Sequence, residues 1–399
     1  SSDVCSSDLY NLHQTKMEEC EMYVTGIGRT KFGALTETMP ELIYQAMYNA
    51  INDSPISIED IGAVYVSNFI GGPSEKQLHL NSVVSSLLPE LRLPIIRVET
   101  ACASGSSALY QAIIALSRFE NVLIVGVEKM SNSTSSESSQ NLGMAGDRMA
   151  DQMQGLIFPA HYALVAQQHM QEYGTTHEDL ELVAFKNHNN SRLNPLAHFS
   201  HKDVTLEMIK NAPVIASPLN LFDCSPISDG AAAVVISKNS KSDRDVKVTG
   251  SALATDHISL SHRKVHTSLE AAKVASKQAY ELAGVTPKDL DIVEVHDCFT
   301  INELVAMEDL GICKPGESKD WVREERTAIK GDIPINTDGG LKADGHPIGA
   351  TGLAQVFEVA TQLRGEAGER QVDGAEIGLT HNIGGVGGTA VVHILERRG

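Results

Sequence analysis

Basic residues are scarce: 32 Lys and Arg stand against 51 Asp and Glu in 399 residues, a formal charge of −19. That balance argues against nucleic acid as a partner, and an anionic ligand would need a locally basic groove. Cysteine is sparse too. Cys5, Cys20, Cys102, Cys224, Cys298 and Cys313 include no C-x-x-C pair. Such spacing excludes a dense disulfide framework and fits reduced thiols in the cytoplasm. His296, Cys298 and Cys313 also lack zinc-site spacing, so no metal is expected. No apolar run approaches the ~20 residues that cross a bilayer, and no secretory signal is visible, so no membrane partner is expected. Gly26, Gly28 and Gly33 in GIGRTKFG miss the G-x-G-x-x-G spacing of a dinucleotide turn.

What is present is a soluble α/β composition: 42% hydrophobic, 21% charged, 5% aromatic, with 32 glycines. Residues 1–20 lack apolar periodicity and read as a disordered or non-native leader, the fold starting near Met22. Beyond it the chain repeats itself. ELIYQAMYNAINDSPISIEDIGAVYVSNF (Glu41–Phe69) lies without a gap over EAAKVASKQAYELAGVTPKDLDIVEVHDC (Glu270–Cys298). Each copy reads as an amphipathic helix, a loop and a β-rich strand. MYVTG recurs as VKVTG, LPI as IPI, and AAAVVIS as TAVVHIL, in the same order. Ordered echoes of this kind argue for two duplicated α/β halves. The halves are expected over 22–244 and 245–399, the first carrying an inserted loop domain at about 131–225. Insertions on a scaffold edge commonly shape a substrate site.

Four stretches carry chemistry. In RVETACASGSSALYQA, Cys102 stands among small residues where a strand gives way to a helix, a position that favours a thiolate. A small thiol packed in a tight turn would read the same way. GHPIGATG places His346 at the matching helix start of the other half. HDCF sets His296 and Cys298 at the C-terminal end of a strand, where sites gather in open α/β sheets. HNIGGVGG, with Asn382 and Gly384, is a glycine-dense loop able to offer backbone N–H groups to an oxyanion.

Together these blocks resemble the thiolase superfamily from Met22 to Arg398. TACASGSSAL is similar to its nucleophile motif, NTDGGLKADGHPIGATG to its GHP block, and SPISDGAAAVV to the segment closing the first half. HDCF and HNIGG, in place of NEAF and Cys-x-Gly, resemble the sterol-carrier-protein-type branch. The resemblance implies an α-β-α-β-α layered fold and acyl-CoA C-acyltransferase chemistry on 3-oxoacyl-CoA, with coenzyme A as substrate or product and no permanently bound cofactor. It implies Cys102 as nucleophile, His346 as its base and Cys298 as the acid/base at the α-carbon. Oxyanion holes would come from His346 with His296, and from the amides of Cys102 and Gly384. Ser225 matches a position near the pantetheine arm, Phe158 is a candidate for the acyl pocket, and Asn382 for substrate binding. The run Lys186–Lys202 gathers Lys, Arg and His that could meet nucleotide phosphates. A homodimer is implied, and some relatives join a zinc-ribbon/OB-fold protein. Another condensing enzyme of the superfamily, or a thiolase-like subunit of a complex, remain the alternatives; a side-chain aldolase is disfavoured because Cys102 is present.

Overall fold

The computed structural model describes residues 21–398; the leader expected at 1–20 lies outside them. The strands of the first half are β1 (Tyr23–Arg29), β2 (Ala63–Ser67), β3 (Ile95–Val98), β4 (Asn121–Glu128), a short ribbon of β5 (Val214–Ala216) and β6 (Leu219–Asn220), and β7 (Gly230–Ser237). Those of the second are β8 (Val246–Thr255), β9 (Ile292–Glu294), β10 (Ile377–Gly384) and β11 (Thr389–Arg397). The main helices are α1 (Met39–Asp53), α2 (Ser104–Ala115), α3 (Phe158–Tyr173), α4 (His177–Ser191), α5 (Glu270–Ala283), α6 (Thr300–Asp309) and α7 (Ile348–Leu363).

Local chemistry sets these elements. α1 begins at a capping box in which the Glu41 carboxylate accepts from the Thr38 amide at 2.8 Å. Its Leu42, Ile43, Ala46, Met47 and Ala50 form one buried stripe. Strands β4 and β7 are buried at every position because helices cover both their faces.

The duplication is geometric as well as textual. Val64 of β2 pairs with Ile95 and its amide donates to Pro94 O at 3.0 Å. Val293 of β9 bridges to Ile335 and donates to Pro334 O, also at 3.0 Å. Where β1 pairs with β7 the register slips over Thr25; where β8 pairs with β11 it slips over Thr249. A bulge kept at equivalent threonines shows the two halves bend alike. The sequence repeat implied two like α/β halves. In the structure a short antiparallel contact, Tyr23 with Lys247 and Val24 with Val246, joins them into one nine-stranded sheet ordered β3-β2-β4-β7-β1-β8-β11-β10-β9.

The sheet halves sandwich α2 and α7, which pack on one another, while α1 and α5 cover the outer faces. This is the five-layer arrangement the family resemblance implied. The two central helices approach closely: a Cβ on Gly105 would stand 3.0 Å from the Gly352 amide nitrogen and 3.1 Å from the Gly349 carbonyl oxygen. Glycine lets the helices cross without either backbone giving way, and the crossing brings the N-termini of α2 and α7 together. Among the described residues no helix is long and apolar enough to cross a membrane.

Candidate active site

Cys102 and His346 occupy equivalent positions in the two halves. Cys102 lies one residue before Ala103, the N-cap of α2, and His346 one residue before Pro347, the N-cap of α7. Cys102 stands where the strand gives way to the helix, just outside the first helical turn. Ala101 holds a left-handed φ of 51°, uncommon for a residue with a Cβ, and turns the chain so that Cys102 faces the second half.

A third side chain joins them. Cys102 Sγ and ring nitrogens of His296 and His346 all lie within 4.8 Å of one another. The imidazoles meet nearly edge to face, their centroids 5.1 Å apart and their planes at 87°. His346 is 7% exposed and His296 fully buried, and the Nε2 of each lacks a protein partner.

Hydrogen bonds around the rings assign different roles. Thr351 donates its hydroxyl proton to Pro347 O at 3.0 Å, so it accepts from His346 Nδ1 at 2.7 Å. His346 therefore carries its proton on Nδ1 and presents a lone pair from Nε2. Asn382 Nδ2 lies 2.8 Å from His296 Nδ1, and with the amide in this orientation the proton of His296 sits on Nε2. One imidazole offers a base and its neighbour a donor. Burial keeps both neutral: it lowers the His346 pKa to about 3 and takes His296 well below its ordinary value.

Burial also pushes the Cys102 thiol up to about 12. The amides of Gly385 and of Cys102 itself oppose that rise, while the Glu128 carboxylate adds to it. Desolvation thus outweighs the helix-end field that the sequence suggested would favour a thiolate. Glu128 accepts from the amides of Phe69 (2.9 Å), Ile70 (3.1 Å) and Gly349 (2.9 Å), tying the end of β4 to the start of α7. Burial raises its pKa to about 7.

Cys298 is buried beyond β9, its pKa pushed well above the ordinary value by burial and further by Cys102. Tyr162 of α3 donates its hydroxyl to Gly385 O at 3.1 Å beside the Cys298 sulfur, and its ring stacks on Phe299 at 4.6 Å. Asp297, between His296 and Cys298, accepts from Asn187 Nδ2 and the Leu341 amide, each at 2.7 Å. It thereby clamps HDCF to the GHP block and to α4 of the inserted segment.

The remaining sequence candidates fall around this centre. Gly384 ends β10, and a Cβ there would collide with the Thr100 carbonyl oxygen. The amide aimed at the Cys102 sulfur belongs to Gly385, one residue on. Asn382 is fully buried and contacts His296. The Ser225 amide donates to Cys298 O at 3.0 Å, placing Ser225 at the rim. Half-buried Phe158 begins α3, one turn before Tyr162. In the basic run, Lys186 is engaged by Glu303 at 2.8 Å and by Ile335 O, so it is not free for phosphate; Lys202 lies over the Phe199 ring at 5.1 Å.

Tyr162, Thr351, Gly385 and Glu128 were not singled out from sequence. Thr351 could have been, since it follows His346 by five residues at the start of a helix. Tyr162 shares a helix face with Phe158.

The model described as "Thiolase, N-terminal domain" matches residues 22–240, and "Thiolase C-terminal domain-like" matches 252–397. The chain is 46% identical over 384 residues to the acetyl-CoA acetyltransferase of Methanothermobacter thermautotrophicus, covering 94% of this chain and 100% of that one. It is 33% identical over 396 residues to sterol carrier protein 2 of Bos taurus, covering 94% of this chain and 72% of that protein. The solved Ltp2-ChsH2(DUF35) aldolase superposes with a TM-score of 0.82 at 24% identity, over 95% of this chain and 98% of that one, a likeness of fold. The chain belongs to the thiolase family, in the branch it shares with sterol carrier protein 2.

Proposed function

We infer that the protein is an acyl-CoA C-acyltransferase that cleaves or forms 3-oxoacyl-CoA through an acyl group held on Cys102. The observation carrying this reading is the convergence of Cys102, His296 and His346 within 4.8 Å, with a lone pair on one ring and a proton on the other. In the cleaving direction His346 Nε2 takes the Cys102 proton as sulfur attacks the 3-oxo carbon. The developing oxyanion is held by His296 Nε2–H and by the newly protonated His346. Breaking the bond between the α and β carbons leaves an acetyl-CoA carbanion, which receives the Cys298 thiol proton. CoA thiol then attacks the acyl-Cys102 carbonyl, whose oxygen is stabilised by backbone amides in the Cys102 and Gly384–Gly385 loops. The acyl group leaves on CoA, Cys102 regains a proton, and the proton of the incoming CoA thiol restores Cys298.

The Ser225 amide's bond to Cys298 O, and the place of Phe158 one turn before Tyr162, support assigning Ser225 to the pantetheine arm and Phe158 to the acyl chain. We assign CoA to the cleft between the inserted segment and the second half, acting as substrate with no resident cofactor. The same reading takes 22–244 and 245–399 as the two halves, and the free thiols of Cys102, Cys224, Cys298 and Cys313, among the described residues, support a cytoplasmic protein. It also takes the unpaired edge strand β3, where Ile96 is 49% exposed, as a homodimer seam. A complex with a small zinc-ribbon/OB-fold protein is the second reading, favoured by Met144, Met149 and Met153, which are all exposed on one segment.

Acetoacetyl-CoA plus CoA tests the function. Wild type is expected to consume both, and Cys102→Ala and Cys298→Ala to consume neither measurably. Full activity in Cys298→Ala would point instead to a one-thiol condensing enzyme.

A further inference from the structure

We propose that the Cys102–His296–His346 cluster is also a binding site for a thiophilic divalent cation of the Zn²⁺ class, taken up when no acyl group is present and holding the enzyme inactive. The metal is a competitor for the nucleophile and not a cofactor of the reaction.

Three observations support the site. The first is the donor set: one thiol sulfur and two imidazole nitrogens suit Zn²⁺ and its soft neighbours, and they come from elements far apart in the chain. The second is distance. Ligand atoms around a tetrahedral Zn²⁺ sit about 3.3–3.6 Å apart, given Zn–S of about 2.3 Å and Zn–N of about 2.0–2.1 Å. The atoms here lie within 4.8 Å of one another, so ordinary rotation of three side chains closes the set. The third is that His296 Nε2 and His346 Nε2 are both buried and both without a protein partner. Burial that keeps these rings neutral also removes the proton that would otherwise compete with a metal.

The outer contacts adapt to it. His346 already donates from Nδ1 to Thr351, the tautomer that frees Nε2 for a metal. His296 needs its proton moved to Nδ1. Asn382 permits this, because its Nδ2 bonds only to His296 and its Oδ1 has no partner. Half a turn of that amide converts Asn382 from donor to acceptor and breaks no other hydrogen bond. Uptake balances as M²⁺ plus Cys102–SH giving the metal thiolate and one H⁺ released to solvent. Three protein ligands leave a fourth position open for water.

Co²⁺ is the probe, titrated into the full chain with reduced thiols. Expected are one Co²⁺ per chain, a near-ultraviolet thiolate-to-cobalt charge-transfer band, strong visible bands of a four-coordinate ion, and release of one proton. Zn²⁺ should displace it. Cys102→Ser is expected to lose the charge-transfer band, and His296→Asn and His346→Ala to weaken binding by about tenfold or more. Circular dichroism of each variant separates loss of the site from loss of the fold. Wild type alkylated at Cys102 with iodoacetamide supplies the same test without a mutation and should show no band. Binding without a thiolate band, or a band that survives in both Cys102→Ser and the alkylated protein, would overturn the proposal. Metal uptake stands apart from the acyl-transfer reading, but competition by acetyl-CoA rests on it. If protein incubated with acetyl-CoA before Co²⁺ is added still develops the full band, and Cys102→Ser abolishes that band, the acylation of Cys102 is faulted and the metal site stands.

Discussion

At the scale of single residues, the site works by keeping its groups neutral until substrate arrives. A free thiol near an imidazole can rest as an ion pair or as thiol and base. Here desolvation raises Cys102 to about 12 and lowers His346 to about 3, so the resting pair is uncharged. Proton transfer is then coupled to attack on the acyl carbonyl, because the charge that balances the imidazolium forms on the carbonyl oxygen as sulfur adds. Alkylation reports this directly. The rate at which iodoacetamide modifies Cys102, followed on its own peptide, is expected to climb about tenfold per pH unit between about pH 6 and 9, because only the thiolate reacts. A plateau near neutral pH would instead reveal a pre-formed thiolate–imidazolium pair. Cys102, His346, His296 and Cys298 were legible in sequence because each sits in a short, compositionally odd stretch at an element boundary. Tyr162 and Glu128 were not. Tyr162 sits in a helix of mixed polarity, and its role exists only because α3 lies against the Gly385 loop. Glu128 ends an otherwise apolar strand, and nothing local says that its carboxylate will meet the Gly349 amide.

At the scale of elements, the crossing of α2 and α7 decides whether the two half-sites meet. Their glycines remove side chains where backbones touch: Gly105 faces Gly349 and Gly352, and a Cβ on Gly352 would collide with the Ser106 amide. Gly352→Ala must push the helices apart, with Cys102 at the head of one and His346 at the head of the other. The change is expected to cost about 1–3 kcal/mol of stability, seen as a lower urea midpoint at unchanged slope. An unchanged midpoint would show that the crossing is looser than the geometry says. The helix–loop–strand repeat was readable because it rests on apolar spacing, which any two copies must preserve to bury the same face. The joining of the halves through Tyr23–Lys247 and Val24–Val246 was not readable. Strand edges carry no signature of their partner when the hydrogen bonds are made by backbone alone.

At the scale of the whole molecule, duplication places Cys102 and His346 at equivalent helix starts and brings them to one site. Equivalent bulges at Thr25 and Thr249 show that the scaffold was kept while the residues at its helix starts diverged. The same scaffold leaves β3 as an open edge. Ile96→Lys puts a charge in the middle of that strand, where it would be buried if two copies pair edge to edge. Sedimentation is expected to show a dimer for wild type and a monomer for the variant; a wild-type monomer, or a dimer indifferent to the change, would place the seam elsewhere.

The central claim is that one sulfur carries the acyl group between two CoA thioesters. Brief incubation with acetyl-CoA, an acid quench and peptide mass spectrometry put it to the test. Wild type should carry acetyl on the Cys102 peptide, a Cys298→Ala variant should carry it too, and His346→Ala should carry little. Acetyl found on Cys298, or on no cysteine under any condition, would contradict the account.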